Sequence, residues 1–244
     1  MAYLHIGLSS ECLRGTTDVN VLLPESGKRS YPTLWLLHGM SGNYSDWLRR
    51  TSVERYAEAA EIAVVMPSAE NSYYEDMAHG ARYYSYVTEE LPAKLGAMLP
   101  LSSDPAETYV AGLSMGGYGA MKLALRHPER YAAAASFSGV LDLAAREMQN
   151  IFPDIFFENF GERSLAGTDA DLFALLRRHV SEGTPLPKLY IWCGRQDTLL
   201  PHNERFRDLC TELRVPLSYR TAPGAHEWGF WDMAVREFIE LIRR

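Results

Sequence analysis

The run Thr108-Tyr-Val-Ala-Gly-Leu-Ser-Met-Gly-Gly-Tyr-Gly-Ala-Met-Lys-Leu-Ala-Leu125 constrains this chain more than any other segment. It reads as a short apolar strand, a serine between glycines, and a helix rich in alanine and leucine. So sharp a turn from strand to helix leaves Ser114 thrust out of a sheet with its hydroxyl exposed. Gly112 and Gly116, two residues to either side, carry no Cβ to collide as the strand folds back against its own helix. An exposed serine on a strained turn is uncommon unless it attacks something. Ser114 is therefore the candidate nucleophile. The bare Gly-x-Ser-x-Gly pattern arises by chance in about one chain of this length in ten; its weight comes from lying between a strand and a helix.

The rest of the pattern predicts a setting for that turn. Residues 3–8 and 12–23 alternate in polarity and suit antiparallel edge strands. Thr33-Leu-Trp-Leu-Leu-His38 and Ile62-Ala-Val-Val-Met66 are continuous apolar runs, as expected of buried strands. Further strands are predicted at 107–111, 131–137, 187–193 and 216–221. Helices are predicted at 51–60, 87–99, 115–126, 169–181, 202–213 and 230–243. Strands alternating with helices predict an α/β fold with a mostly parallel central sheet, helices on both faces and antiparallel N-terminal edge strands. At 244 residues this fits a single domain, 1–244, large enough to bury its own core.

Bulk properties narrow the partners. A formal net charge of −7 disfavours nucleic acid and anionic membranes. No apolar run reaches membrane-spanning length, and the N-terminus lacks the pattern of a secretory signal, so a cytoplasmic protein is expected. The odd set Cys12, Cys193 and Cys210 has neither disulfide-frame nor metal spacing.

In parallel sheets, sites form beyond the carboxyl ends of the strands. Asp197 lies there in Gly194-Arg-Gln-Asp, and His226 lies there in Pro223-Gly-Ala-His-Glu-Trp. Serine, then acid, then histidine is the chain order of the α/β-hydrolase triad. A serine hydroxyl needs a neutral imidazole to remove its proton, and the imidazole needs a carboxylate to fix its tautomer and stabilise its charged form. Asp197 also suits a cap for the helix near Pro201. Asp142, past the strand at 131–137, is the rival acid; Asp197 is favoured because Gly194 gives a tight exit turn. His127, His179 and His202 fall on helices or helix ends, and no histidine pair has the spacing of a zinc site. His38-Gly-Met-Ser-Gly42 follows a buried strand where esterases place an oxyanion loop. Its donors would be the backbone N–H groups of Met40 and of Met115, the residue after the nucleophile, each worth about 3–4 kcal/mol to the transition state.

With these residues in hand, the chain resembles the esterase D-like branch of the α/β-hydrolases, close to the bacterial tributyrin esterases and related to S-formylglutathione hydrolases. The likeness rests on Leu-Leu-His-Gly-Met-Ser-Gly42 with Trp47, Val-Val-Met-Pro67, Tyr-Tyr84 and Glu-Glu-Leu-Pro92. It continues in Ala-Gly-Leu-Ser-Met-Gly-Gly-Tyr-Gly119, Ser-Phe-Ser-Gly139, Trp-Cys-Gly194 with Asp197, and Gly-Ala-His-Glu-Trp228. It implies Ser114, Asp197 and His226 as the triad, Met40 and Met115 as oxyanion donors, short-chain acyl esters as substrates, no cofactor, and a homo-oligomer. The chain departs from the formylglutathione branch at two loops, with Met-Ser-Gly42 for the expected Leu-Thr-Cys and Tyr118 for a histidine.

Residues 143–168 lack clear periodicity and hold Phe152, Phe156, Phe157 and Phe160. The segment is expected to form a short cap over an acyl pocket, with core packing of the same rings as the other reading. Trp47 and Trp228 are candidate substrate-binding walls. The expected activity is hydrolysis of acetyl to butyryl esters through an acyl-enzyme, faster as His226 loses its proton. An S-formylglutathione-type thioesterase, an acyltransferase, and a binding protein with a defunct site are the alternatives.

Overall fold

The computed structural model describes residues 1–145 and 150–243. Eight strands form one sheet: β1 (Ala2–Ser10), β2 (Gly15–Leu23), β3 (Thr33–Leu37), β4 (Ala63–Pro67), β5 (Thr108–Leu113), β6 (Ala133–Phe137), β7 (Lys188–Gly194) and β8 (Leu217–Ala222). Their order is β1-β2-β4-β3-β5-β6-β7-β8. β2 runs antiparallel to both β1 and β4, and every pairing from β4 to β8 is parallel. This is the α/β-hydrolase fold, with its antiparallel edge at the N-terminus.

Burial follows position in the sheet. Every residue of β3, β4 and β6 is buried, whereas β1 and β8 alternate along their lengths as edge strands do. Alternation sorts the central strands into two cores. Trp35, Leu37, Val65 and Val110 face one side; Leu34, Leu36, Val64, Ala111 and Phe137 face the other. A ring as buried as Phe137, with no exposed surface, contributes about 2–3 kcal/mol by leaving water.

The helices are α1 (Asp46–Arg50), α2 (Val53–Ala60), α3 (Leu91–Met98), α4 (Met115–Arg126), α5 (Pro153–Phe160), α6 (Leu172–Glu182), α7 (Leu200–Glu212) and α8 (Trp228–Ile242). α2 and α8 cover the Phe137 face, and α3, α4, α6 and α7 supply the opposite core. The helical turns Tyr83–Ser85 and Tyr86–Glu90 lead into α3. α1 and α5 have no counterpart in the sequence pattern. α5 lies in the aromatic segment at 143–168, of which residues 146–149 fall outside the described residues. Pro153 at its first turn and Phe156 and Phe160 four apart are the signals that locate it. Among the described residues, no helix is long and apolar enough to cross a membrane.

Candidate active site

Ser114 joins β5 to α4 with φ 53° and ψ −118°, a strained conformation for a residue with a side chain. The turn is possible because its neighbours are glycines. A Cβ on Gly112 would stand 2.3 Å from the Gly116 carbonyl oxygen, and one on Gly116 would stand 2.5 Å from that of His38. The Ser114 N–H is held by the Phe137 carbonyl on β6, at 2.9 Å.

The three polar residues predicted from strand ends meet. His226 Nε2 lies 3.0 Å from Ser114 Oγ, placed to accept the hydroxyl proton. The opposite ring nitrogen, Nδ1, lies 3.0 and 3.2 Å from the two carboxylate oxygens of Asp197. The Asp197 side chain is wholly inaccessible, while that of His226 is 34% exposed and faces the cleft. Burial alone would raise the Asp197 pKa. The hydrogen bond from His226, the neighbouring Ser138 hydroxyl and the Leu199 N–H outweigh it and hold the carboxyl below its usual value. Asp197 therefore stays ionised beside the imidazole. It also accepts the Leu199 N–H at 2.8 Å in the turn ahead of α7, but it does not cap that helix, whose N-cap residue is Leu199 with no side-chain capping bond. Asp142 is committed elsewhere, 2.6 Å from Arg205 Nε.

The loop after β3 approaches from the other side. His38 is buried, and both ring nitrogens are engaged: Nδ1 donates to the Gly39 carbonyl at 2.7 Å, and Nε2 accepts the Ala69 N–H at 2.9 Å. Burial lowers its pKa, partly offset by the Gly39 bond and by Asp46. Met40 and Met115 line the same cleft as Ser114. Among the described residues neither backbone N–H has an acceptor, which leaves both available to an oxyanion.

The cleft has a volume near 520 Å³ and is walled by Tyr73, Val140, Ile151, Phe152, Leu199 and Trp228 around Ser114. Trp228 takes part in this wall. Trp47 does not: it is 1% exposed, donates its indole N–H to the Leu37 carbonyl at 3.0 Å, and packs edge-on behind Trp228. It is a core residue that backs the wall. Closeness in sequence to a catalytic loop misled here, because α1 turns the indole inward. Arg50 and Tyr73 border the cleft without having stood out in the sequence. Arg50 sits one turn after Asp46 and stacks over Trp228, 5.6 Å from the ring centroid. A paired acid and base on a short helix gives no sign of where that helix docks.

Comparison with known proteins follows the same lines. Residues 10–235 match the Esterase family model, described as "Putative esterase". An acetyl esterase of Caldicellulosiruptor saccharolyticus is 28% identical, covering all of this chain and 99% of its own. Two solved Staphylococcus aureus structures are each 33% identical over the whole chain. They are the fluorophosphonate-binding serine hydrolase FphF, TM-score 0.95 with 98% of its chain covered, and the S-formylglutathione hydrolase FrmB, TM-score 0.91 with 99% covered.

Proposed function

We propose, from the premise that the chain belongs to the Esterase family and is a serine carboxylic ester hydrolase, that it cleaves short-chain acyl esters, acetyl to butyryl, through an acyl-Ser114 intermediate. The observation that carries this is the unbroken contact from Ser114 Oγ to His226 to buried Asp197. As Oγ bonds to the ester carbonyl carbon, its proton passes to His226 Nε2, and Asp197 stabilises the imidazolium. The carbonyl oxygen, now negative, rests on the Met40 and Met115 N–H groups. The bond to the alcohol oxygen then breaks, and the alcohol leaves with the proton from His226. Water repeats the cycle, giving the carboxylic acid and free serine.

Direction in the cleft follows from this chemistry. His226 must reach the leaving oxygen, so the alcohol part lies toward His226, Trp231 and Trp228, which contact one another ring to ring. The acyl part takes the apolar side formed by Val140, Leu199, Ile151 and Phe152. The last two belong to the segment read as a short cap. A cleft of this size with so small a cap favours short acyl groups. A cytoplasmic setting and self-association belong to the same proposal; three cysteines free of disulfides accord with the first.

Thioester cleavage is the second reading, favoured by the likeness to the Staphylococcus aureus S-formylglutathione hydrolase. Tyr118, at the departure from that branch, is fully buried and donates to the Ala170 carbonyl at 2.8 Å. A panel of p-nitrophenyl esters, acetylated sugars and S-formylglutathione, with and without an alcohol acceptor, ranks ester, thioester and transfer activities by kcat/KM. Ser114→Ala is expected to lose about 10⁴-fold or more in kcat on every productive substrate. Retention of most activity on p-nitrophenyl acetate would overturn the proposal.

A further inference from the structure

Behind the loop that carries Met40 lies a turn strained twice over. Tyr73 and Tyr74 adopt positive φ in succession, 49° and 52°, which bulky residues do only where their surroundings enforce it. The enforcement comes from a buried cation on the nucleophile helix. Lys122 is wholly inaccessible, and its Nζ donates to the Tyr74 carbonyl at 2.9 Å and to Glu75 Oε2 at 2.6 Å. The rings of Tyr84 and Tyr118 stand beside it, at 5.2 and 5.7 Å. An ammonium is costly to bury even when paired, which draws attention to what it holds.

It holds the backbone of Tyr74, from which the ring projects toward α4. That ring packs against α4 at Gly119, where a Cβ would come within 2.4 Å of Cδ2. Its hydroxyl donates to the His38 carbonyl at 2.9 Å. The other side of the same carbonyl meets Gly116, one residue past Met115, where a Cβ would stand 2.5 Å away. The His38 oxygen is thus held between the first turn of α4 and the Tyr74 hydroxyl, in the peptide directly before the one that carries the Met40 N–H.

We propose that Tyr74 is a positioning residue: its backbone carbonyl is held by Lys122, which Glu75 pairs, and its hydroxyl, placed in this way, fixes the His38–Gly39 peptide and so aims the Met40 N–H at the oxyanion. Tyr74 is fully buried and does not line the cleft, so it acts through the loop and not on substrate. The proposal rests on the esterase reading above, because a donor is worth most when fixed in advance of the charge it meets.

Tyr74→Phe keeps the ring and removes one oxygen. With p-nitrophenyl acetate, kcat is expected to fall about tenfold while KM stays within about twofold. The Ki of a trifluoromethyl ketone, whose serine adduct carries the same oxyanion, should rise by the factor by which kcat/KM falls. A purely structural role would lower the melting temperature without linking these two numbers. Lys122→Met combined with Glu75→Gln withdraws both buried charges together. It should show the same pattern and carries the test if Tyr74→Phe does not fold. Absence of Ser114-dependent turnover in the wild type overturns both readings. With that turnover present, an unchanged kcat, or a fall in kcat that the ketone Ki does not follow, overturns this one alone.

Discussion

Gly194, the last residue of β7, and Gly224, two residues past β8, approach so closely that a Cβ on the first would stand 2.2 Å from the carbonyl oxygen of the second. The approach lets two strand-end turns interlock. Arg195 N–H donates to the Ala222 carbonyl, Gln196 N–H donates to that of Gly224, and Gln196 Oε1 accepts the Gly224 N–H. Asp197 leaves one turn and His226 leaves the other, so their meeting depends on this lock. Gly194→Ala wedges it open. It is expected to cost about 1–3 kcal/mol of stability by overpacking and to lower kcat about 10²-fold by displacing the carboxylate from the imidazole. Thermal melts and p-nitrophenyl acetate kinetics on the same sample check both.

Asp197→Asn leaves the shape of the site intact and changes only what faces His226 Nδ1. The amide cannot stabilise the imidazolium, and its N–H₂ favours the wrong tautomer. A fall in kcat of about 10⁴-fold is expected, with little change in KM. Asp142→Asn weakens the contact with Arg205 without touching the partner of His226 and should leave kcat near wild type. Equal losses in the two variants would contradict the assignment of the acid.

The two tryptophans should separate cleanly. Trp47→Ala empties a core site and is expected to cost about 3–5 kcal/mol of stability. Trp228→Ala removes part of the cleft wall and should raise KM for aromatic leaving groups while changing the melting temperature far less. Measuring KM and unfolding for both variants decides which ring belongs to which layer.

Acid should weaken the protein at a particular place. Burial opposes the charge on Glu90. Its bonds to Lys94, the Ser10 hydroxyl and the N–H groups of Glu11 and Cys12 outweigh that cost and hold its pKa far below the ordinary 4.5. The folded state therefore binds fewer protons than the unfolded one at this group. Its contribution is complete above that ordinary value and drains away as pH falls below it toward the folded pKa. Because these bonds tie the β1–β2 turn to the helical turn before α3, the loss falls on that edge of the sheet. Melting temperatures taken from about pH 6 to about pH 3 should drop more steeply for the wild type than for Glu90→Gln.

Where local chemistry decides the conformation, the sequence was legible. The apolar runs of β3 and β4 mark the middle of the sheet. Gly112, Ser114 and Gly116 mark the turn, and Asp197 and His226 stand where parallel strands end. Contacts that pair distant turns were not legible. Nothing near Lys122 announces that its ammonium reaches Tyr74 and Glu75, 48 and 47 residues away. The left-handed pair Tyr73–Tyr74 lacks the glycine that usually flags such a turn. Trp47 was misplaced for the same reason, since the direction of a short helix is set by what it docks against.

The imidazole of His38 has a use beyond fastening its loop. One nitrogen is spent on Gly39 and the other on Ala69, so a second proton would have to displace the Ala69 N–H inside a dry interior. The imidazole that fastens the Met40 loop is thereby held neutral. The scaffold that presents Met40 therefore stays electrically constant in mildly acidic solution.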